Sequence, residues 1–164
     1  MDDQDDGKAV ESRPPTLEDL VRLCHSLNEQ GARYVVIGGM AVIQAGFVRA
    51  TADIDLLVDA DPANQDKIRA AMMHLPDQAI REVRPDDLDN YVVVRVADEI
   101  VVDLMKSACG IEYDEASQSV IWVEIRGETI PFASPALLLR LKQSVREKDK
   151  LDRMFLEELL RSEE

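Results

Sequence analysis

Ile37-Gly38-Gly39-Met40-Ala41, followed after eleven further residues by Asp53-Ile54-Asp55-Leu56-Leu57-Val58, is the stretch on which the reading of this chain turns. Tyr34 to Ile37 is a short apolar run that stops at the glycine pair. Met40 to Ile43 can then be helical as far as Gly46, so the order is strand, glycine turn, helix. Ile54 to Val58 predicts a second strand, entered through Thr51-Ala52-Asp53 and left through Asp59 and Pro62. Side chains two apart on a strand share a face at roughly 7 Å. Asp53 and Asp55 therefore converge on one place, where like charges raise each other's pKa unless a cation lies between them. Such a pair is either a solvated strand edge or a site for a hard cation, and all-oxygen ligands suit magnesium or manganese. The glycine pair is either an ordinary turn or a cradle offering backbone donors to an anion. A third carboxylate, Asp103, lies within Val101-Val102-Asp103-Leu104-Met105, where an unpaired buried charge would be costly. It needs a partner, and a metal would serve.

The rest of the chain supplies a frame for these residues. Residues 1–15 carry Asp2, Asp3, Asp5, Asp6 and Glu11 with Pro14 and Pro15, and read as a flexible acidic arm. Residues 16–164 read as one domain. Thr16 with Asp19 forms a capping box, and Leu17, Leu20, Val21, Cys24 and Leu27 recur at helical spacing up to Gly31. A helix from about Pro62 to His74 follows the second strand. Tyr91 to Val96 and Glu99 to Leu104 suggest a hairpin about Ala97-Asp98, and Val120 to Ile125 with Thr129 to Phe132 another about Gly127. Ser134 and Pro135 open a C-terminal helical segment, about 134–162, with a break near Glu147. The fold class is α+β, a mixed sheet with helices packed on it.

Composition narrows the function. In 164 residues, 46% are hydrophobic and 32% charged, with a net charge of −14, so the surface as a whole repels nucleic acid and anionic membranes. Two cysteines far apart, Cys24 and Cys109, offer neither a disulfide scaffold nor zinc spacing. No apolar run approaches the ~18 residues of a membrane span and the N-terminus is acidic, so the cytoplasm is the expected compartment. His25, His74, Trp122 and Phe155 carry no constellation about them and read as structural.

Taken as a set, Gly38-Gly39, Asp53-x-Asp55 and the later apolar-flanked Asp103 resemble the nucleotidyltransferase superfamily that includes DNA polymerase beta and the minimal nucleotidyltransferases. Within it, Arg49-x-Thr51-x-Asp53-Ile54-Asp55-Leu56 and then Lys142 with Arg146, Asp149 and Asp152 are most similar to the AbiEii-like toxin group. The likeness spans about residues 33 to 153. It implies a nucleotidyltransferase-like fold and metal-dependent transfer of a nucleoside monophosphate from an NTP to an acceptor hydroxyl. Gly38 and Gly39, with Arg49, Thr51 and Arg146, would bind the nucleotide. Asp53, Asp55 and Asp103 would bind Mg2+ or Mn2+, with Asp103 able to take a proton, and Lys142 would neutralise the triphosphate. A tRNA end, a protein or a small molecule is the implied acceptor, and an antitoxin a further partner.

The C-terminal segment supports this only in part. Lys142, Arg146, Asp149 and Arg153 would share one face of a continuous helix, which is either a row of cations for phosphate or a solvated face with internal salt links. Six basic and three acidic residues between Arg140 and Arg153 make this the place for a tRNA, if one binds. Two other functions compete. One is a scaffold of the same fold that binds a nucleotide or a partner without turnover. The other is a phosphatase of the haloacid dehalogenase type, prompted by Asp59-Ala60-Asp61, which Pro62 and Ala63 disfavour.

Overall fold

The computed structural model describes residues 11–143 and 147–163. Helix α1, Leu17–Gln30, opens with the expected capping box: the Thr16 hydroxyl accepts from the Asp19 amide, and Asp19 accepts from the Thr16 amide at 2.7 Å. Its face of Leu20, Val21, Leu23, Cys24 and Leu27 is buried, and Gly31 closes it. Strand β1, Tyr34–Ile37, is buried throughout, and α2, Gly38–Gln44, follows directly. Strand β2 is Ile54–Val58. Helix α3, Pro62–Met72, is capped by Asp61 and ends two residues before His74.

A short 3-10 turn, Ala79–Glu82, and a single helical turn α4, Asp87–Asn90, precede strands β3, Val94–Ala97, and β4, Val101–Met105. This hairpin differs from the sequence reading: Tyr91, Val92 and Val93 lie outside the strand and are exposed. The reason is Asp98, whose buried carboxylate accepts from the backbone amides of Asp77 at 2.9 Å, Ala79 at 2.8 Å and Glu99 at 2.7 Å. That anchor fixes a longer connection than Ala97-Asp98 alone. Strands β5, Ser107–Ala108, and β6, Ile111–Glu112, form a small separate ribbon before the one-turn helix α5, Tyr113–Ala116. Strands β7, Val120–Ile125, and β8, Glu128–Ala133, meet at Arg126-Gly127, both with positive φ (52° and 85°). Two left-handed residues in a two-residue loop match the twist of a hairpin.

The main sheet has the order β3-β4-β2-β1-β8-β7 and is mixed. β2 runs antiparallel to β1 and parallel to β4, while β1 and β8 are parallel. Helices α1 and α3 pack against one another, α2 lies on β1 and β2, and α1 reaches β8. Helix α6, Pro135–Leu141, capped by Ser134 as the sequence suggests, packs on α2 and β8. Helix α7, Glu147–Ser162, packs on α6. Lys142 therefore caps α6, and the single helical face expected for Lys142, Asp149 and Arg153 does not exist. Arg146 lies outside the described residues.

Residues 11–15, which the sequence reading places in a flexible arm, are held against the fold. Residues 1–10 are outside the described residues, but Ser12 donates to the Asp98 carbonyl at 2.6 Å and the Arg13 amide to the Glu99 carbonyl at 2.9 Å. Arg13 also forks onto Asp19 at 2.7 and 2.8 Å and holds that carboxyl well below the usual carboxylate range. Composition alone marks residues 11–15 as solvated; the contacts that pin them come from the β3–β4 turn and α1. Among the described residues no helix is long and apolar enough to cross a membrane.

Candidate functional site

The register of three neighbouring strands builds the site. Asp55 pairs with Ile37 on one side and with Asp103 on the other, and Asp103 in turn pairs with Arg95. Directly opposed residues on adjacent strands point to the same face, so Asp55, Asp103 and Arg95 form one row. Asp53, two residues before Asp55, adds to that face. A carboxylate oxygen from each of Asp53, Asp55 and Asp103 lies within 4.8 Å of the others. Asp103 therefore stands on the same side of the sheet as the other two, as the sequence reading requires.

The three carboxylates are treated unequally. Arg95 donates from Nε to one Asp103 oxygen and from Nη2 to the other, both at 2.9 Å, and Nη2 also reaches Asp53 at 3.2 Å. Among the described residues Asp55 has no such partner. Burial, then the charges of Asp53 and Asp103, push its carboxyl up from 3.8 to about 7, against a weaker opposing pull from Lys142. All three donors are carboxylate oxygens, close together and with their charge only partly matched. That is the chemistry of a hard divalent cation site, so the residues present fit Mg2+ or Mn2+.

The glycines serve this arrangement sterically. Gly38 has φ +69°, and a Cβ there would fall 2.7 Å from the Asp55 Cγ. A Cβ on Gly39 would lie 2.8 Å from the Thr51 Cβ and 3.0 Å from Arg49 Nη2. Both glycines thus let β2 and its entry loop close onto the start of α2. Thr51 donates to the Asp53 carbonyl at 3.1 Å and shapes the entry to β2.

Of the cations assigned to the nucleotide, Lys142 and Arg49 are engaged within the fold. Lys142 Nζ is buried, 3.3 Å from Asp149 and 3.2 Å from Asp152. Arg49 donates to the same Asp152 at 3.0 Å and to the Ala50 carbonyl at 2.8 Å. Arg153 donates to the Lys142 carbonyl at 2.6 Å. The result is a buried network tying α7 to the end of α6 and to the loop before Asp53. Lys142 reaches Asp55 only through its field, and of the two readings left open for its face the solvated one does not hold, since the lysine is desolvated.

Arg95 is the residue that sequence reasoning missed. The signal was present in the hairpin register: once Asp98 to Ile100 are the loop, Arg95 must face Asp103. A cleft of about 320 Å³ borders Arg49, Ala50 and Thr51, with Met40, Ile43, Gln44 and Phe132 in its wall. At the other end of β2, a cleft of about 280 Å³ is lined by Asp59, Asp61, Asp89, Glu112 and Asp114 with Lys106, and its charge is wrong for a triphosphate.

No protein-family model matches the sequence, and no curated protein matches it. Solved structures do. One is a Thermotoga maritima protein described as a "putative nucleotidyltransferase", 20% identical, with 96% of this chain and 97% of that one aligned at a TM-score of 0.54. Another is an antigenic nucleotidyltransferase-like protein from Paracoccidioides brasiliensis, 18% identical, with 87% of this chain and 76% of that one aligned at a TM-score of 0.55. At such identities the likeness is one of fold, and the fold is the α+β nucleotidyltransferase-like one.

Proposed function

We propose that this chain is a metal-dependent nucleotidyltransferase that moves a nucleoside monophosphate from an NTP to an acceptor hydroxyl and releases pyrophosphate. The observation that carries the reading is the set of three carboxylate oxygens within 4.8 Å on one sheet face. Asp53, Asp55 and Asp103 would hold Mg2+ or Mn2+. Bound there, the divalent ions would screen the triphosphate and make the acceptor oxygen a better nucleophile. In the transfer, an acceptor O–P bond forms at the α-phosphate, the bond to the bridging oxygen breaks, and the acceptor proton goes to solvent or to a carboxylate of the cluster. The chain's own part is positioning. Gly38 and Gly39 hold the turn close to Asp55 and Thr51, and the Arg49–Asp152–Lys142 network fixes the loop that leads into Asp53.

The AbiEii-like group is the part of the superfamily to which Arg49-x-Thr51-x-Asp53-Ile54-Asp55 and Lys142 with Asp149 and Asp152 point, and an antitoxin partner belongs to that reading. Of the cations near the C-terminus, Arg140 pairs with Glu115 at 2.6 Å, and Lys142 and Arg153 are engaged within the fold. The same engagement of Lys142, with Arg95 across the carboxylates, supports a second reading, a nucleotide-binding or partner-binding module without turnover.

Incubation of the full chain with each α-labelled NTP, Mg2+ or Mn2+ and cell extract separates these readings. Transfer predicts label in an RNA, protein or small-molecule fraction, lost in Asp53→Asn. Nucleotide binding without label in any fraction would replace the enzyme by the module.

A further inference from the structure

Arg95 is placed where a divalent cation would be expected to act. Its guanidinium makes three charge-assisted hydrogen bonds to two of the three candidate ligands and covers both oxygens of Asp103. The position is set by strand register, since Arg95 is directly opposite Asp103 on β3. Yet β3 is an edge strand, and the Arg95 side chain remains 60% exposed, against 7% for Asp103. An anchored but solvent-facing cation can leave without opening the core. Arg95 is also the sole cation within ion-pair distance of the cluster among the described residues.

We infer that Arg95 is a built-in counter-ion that competes with divalent metal for Asp53 and Asp103, and so sets the metal concentration at which the site loads. The inference rests on the metal-binding reading given above. In the metal-free protein the guanidinium satisfies Asp103, which would otherwise be a buried carboxylate without a partner. A divalent ion offers the same oxygens twice the charge, and its entry requires the fork to let go. The arrangement favours loading only when metal is abundant, and it makes Arg95 a specificity-determining residue for a cation with more than one charge.

The direct probe is Mn2+ binding to the full chain, followed by the loss of the free-ion EPR signal, with no nucleotide present. Removing the fork in Arg95→Gln is expected to tighten Mn2+ binding by about tenfold, the order of one good charge-assisted contact. Arg95→Lys, which supplies a point charge and cannot cover both oxygens, should fall between. Arg22→Gln makes the same charge change at an exposed helix position and should leave the affinity unchanged. Asp55→Asn added to Arg95→Gln should abolish the binding and so locate it. Equal or weaker binding by Arg95→Gln, with wild-type binding present, would overturn the competition and leave the metal site standing, with Arg95 as its support. Equal tightening by Arg22→Gln would overturn it as well, as a general charge effect. Failure of every variant to bind Mn2+ would instead remove the metal site itself, and this inference with it. Should Arg95→Gln not fold, the Arg95→Lys value decides: affinity no higher than wild type overturns the proposal.

Discussion

Asp55→Asn should make the metal-free protein more stable while removing its activity, and the size of the gain follows from the site. Burial and two neighbouring carboxylates lift the Asp55 carboxyl from 3.8 to about 7. A raised folded-state pKa means that Asp55 favours folding fully below its unfolded value and that this contribution is lost as pH rises through the folded one. The resulting penalty on folding is about 1 kcal/mol at pH 4.5 and about 4 kcal/mol at pH 7.5, just above the folded value. An asparagine removes the charge but must find partners for its amide among the same neighbours, so a net gain of about 2 kcal/mol is expected at pH 7.5. For a domain of this size that is a rise in Tm of about 4–8 °C. Differential scanning calorimetry with a chelator present should show that rise at pH 7.5 and little of it near pH 4.5. Excess Mn2+ should then reverse the order, because only the wild type gains binding energy. A loss of stability in Asp55→Asn at pH 7.5 would refute the reasoning, since it would mean that the carboxylate is already matched within the fold.

Two further substitutions test the frame. Gly38→Ala combines a positive φ with a Cβ 2.7 Å from the Asp55 Cγ, so it should cost about 2–4 kcal/mol in urea unfolding and weaken Mn2+ binding together; a change under ~0.5 kcal/mol would show that the turn is slack. Asp152→Asn leaves Lys142 and Arg49 facing a neutral amide in a buried network, so a loss of about 3 kcal/mol is expected in urea unfolding. A cost below ~1 kcal/mol would mean that water already screens the network.

The parts of the fold legible in the sequence are those governed by local rules. The capping box of α1, the β1–glycine–α2 passage, the Pro-initiated helices α3 and α6 and the hairpin about Gly127 each depend on residues within a few positions of one another. The pairing of Asp53 and Asp55 was legible for the same reason, as strand periodicity within three residues. That Asp103 joins them was legible only through its cost, an acid in an apolar run. Arg95 was lost to a register error: a two-residue loop at Ala97-Asp98 places Arg95 opposite Ile100. The true loop depends on amides from Asp77 and Ala79, some twenty residues away, that hold the Asp98 carboxylate. Lys142 was misplaced by the same kind of failure. Helical spacing from Lys142 to Arg153 is present in the sequence, but α6 ends at Leu141 because the lysine is drawn between two carboxylates of α7.

The distribution of charge inside the fold argues for what the cluster is. Among the described residues, each fully buried carboxylate of this strongly acidic chain meets a backbone donor or a cation. Asp98 has three backbone donors, and Asp149 and Asp152 share Lys142, with Arg49 added on Asp152. Asp103 has the Arg95 fork. Asp55, half-buried, is the exception, with no arginine or lysine at ion-pair distance among the described residues, although the strand register holds it beside Asp103 and against Gly38. A fold able to match its other buried acids had the means to match this one, and a serine or asparagine at position 55 would cost less. The unmatched charge is therefore the part of the cluster that a cation from solution would complete. Removing Asp55 should separate stability from metal binding more cleanly than removing Asp53 or Asp103, whose loss also strands Arg95.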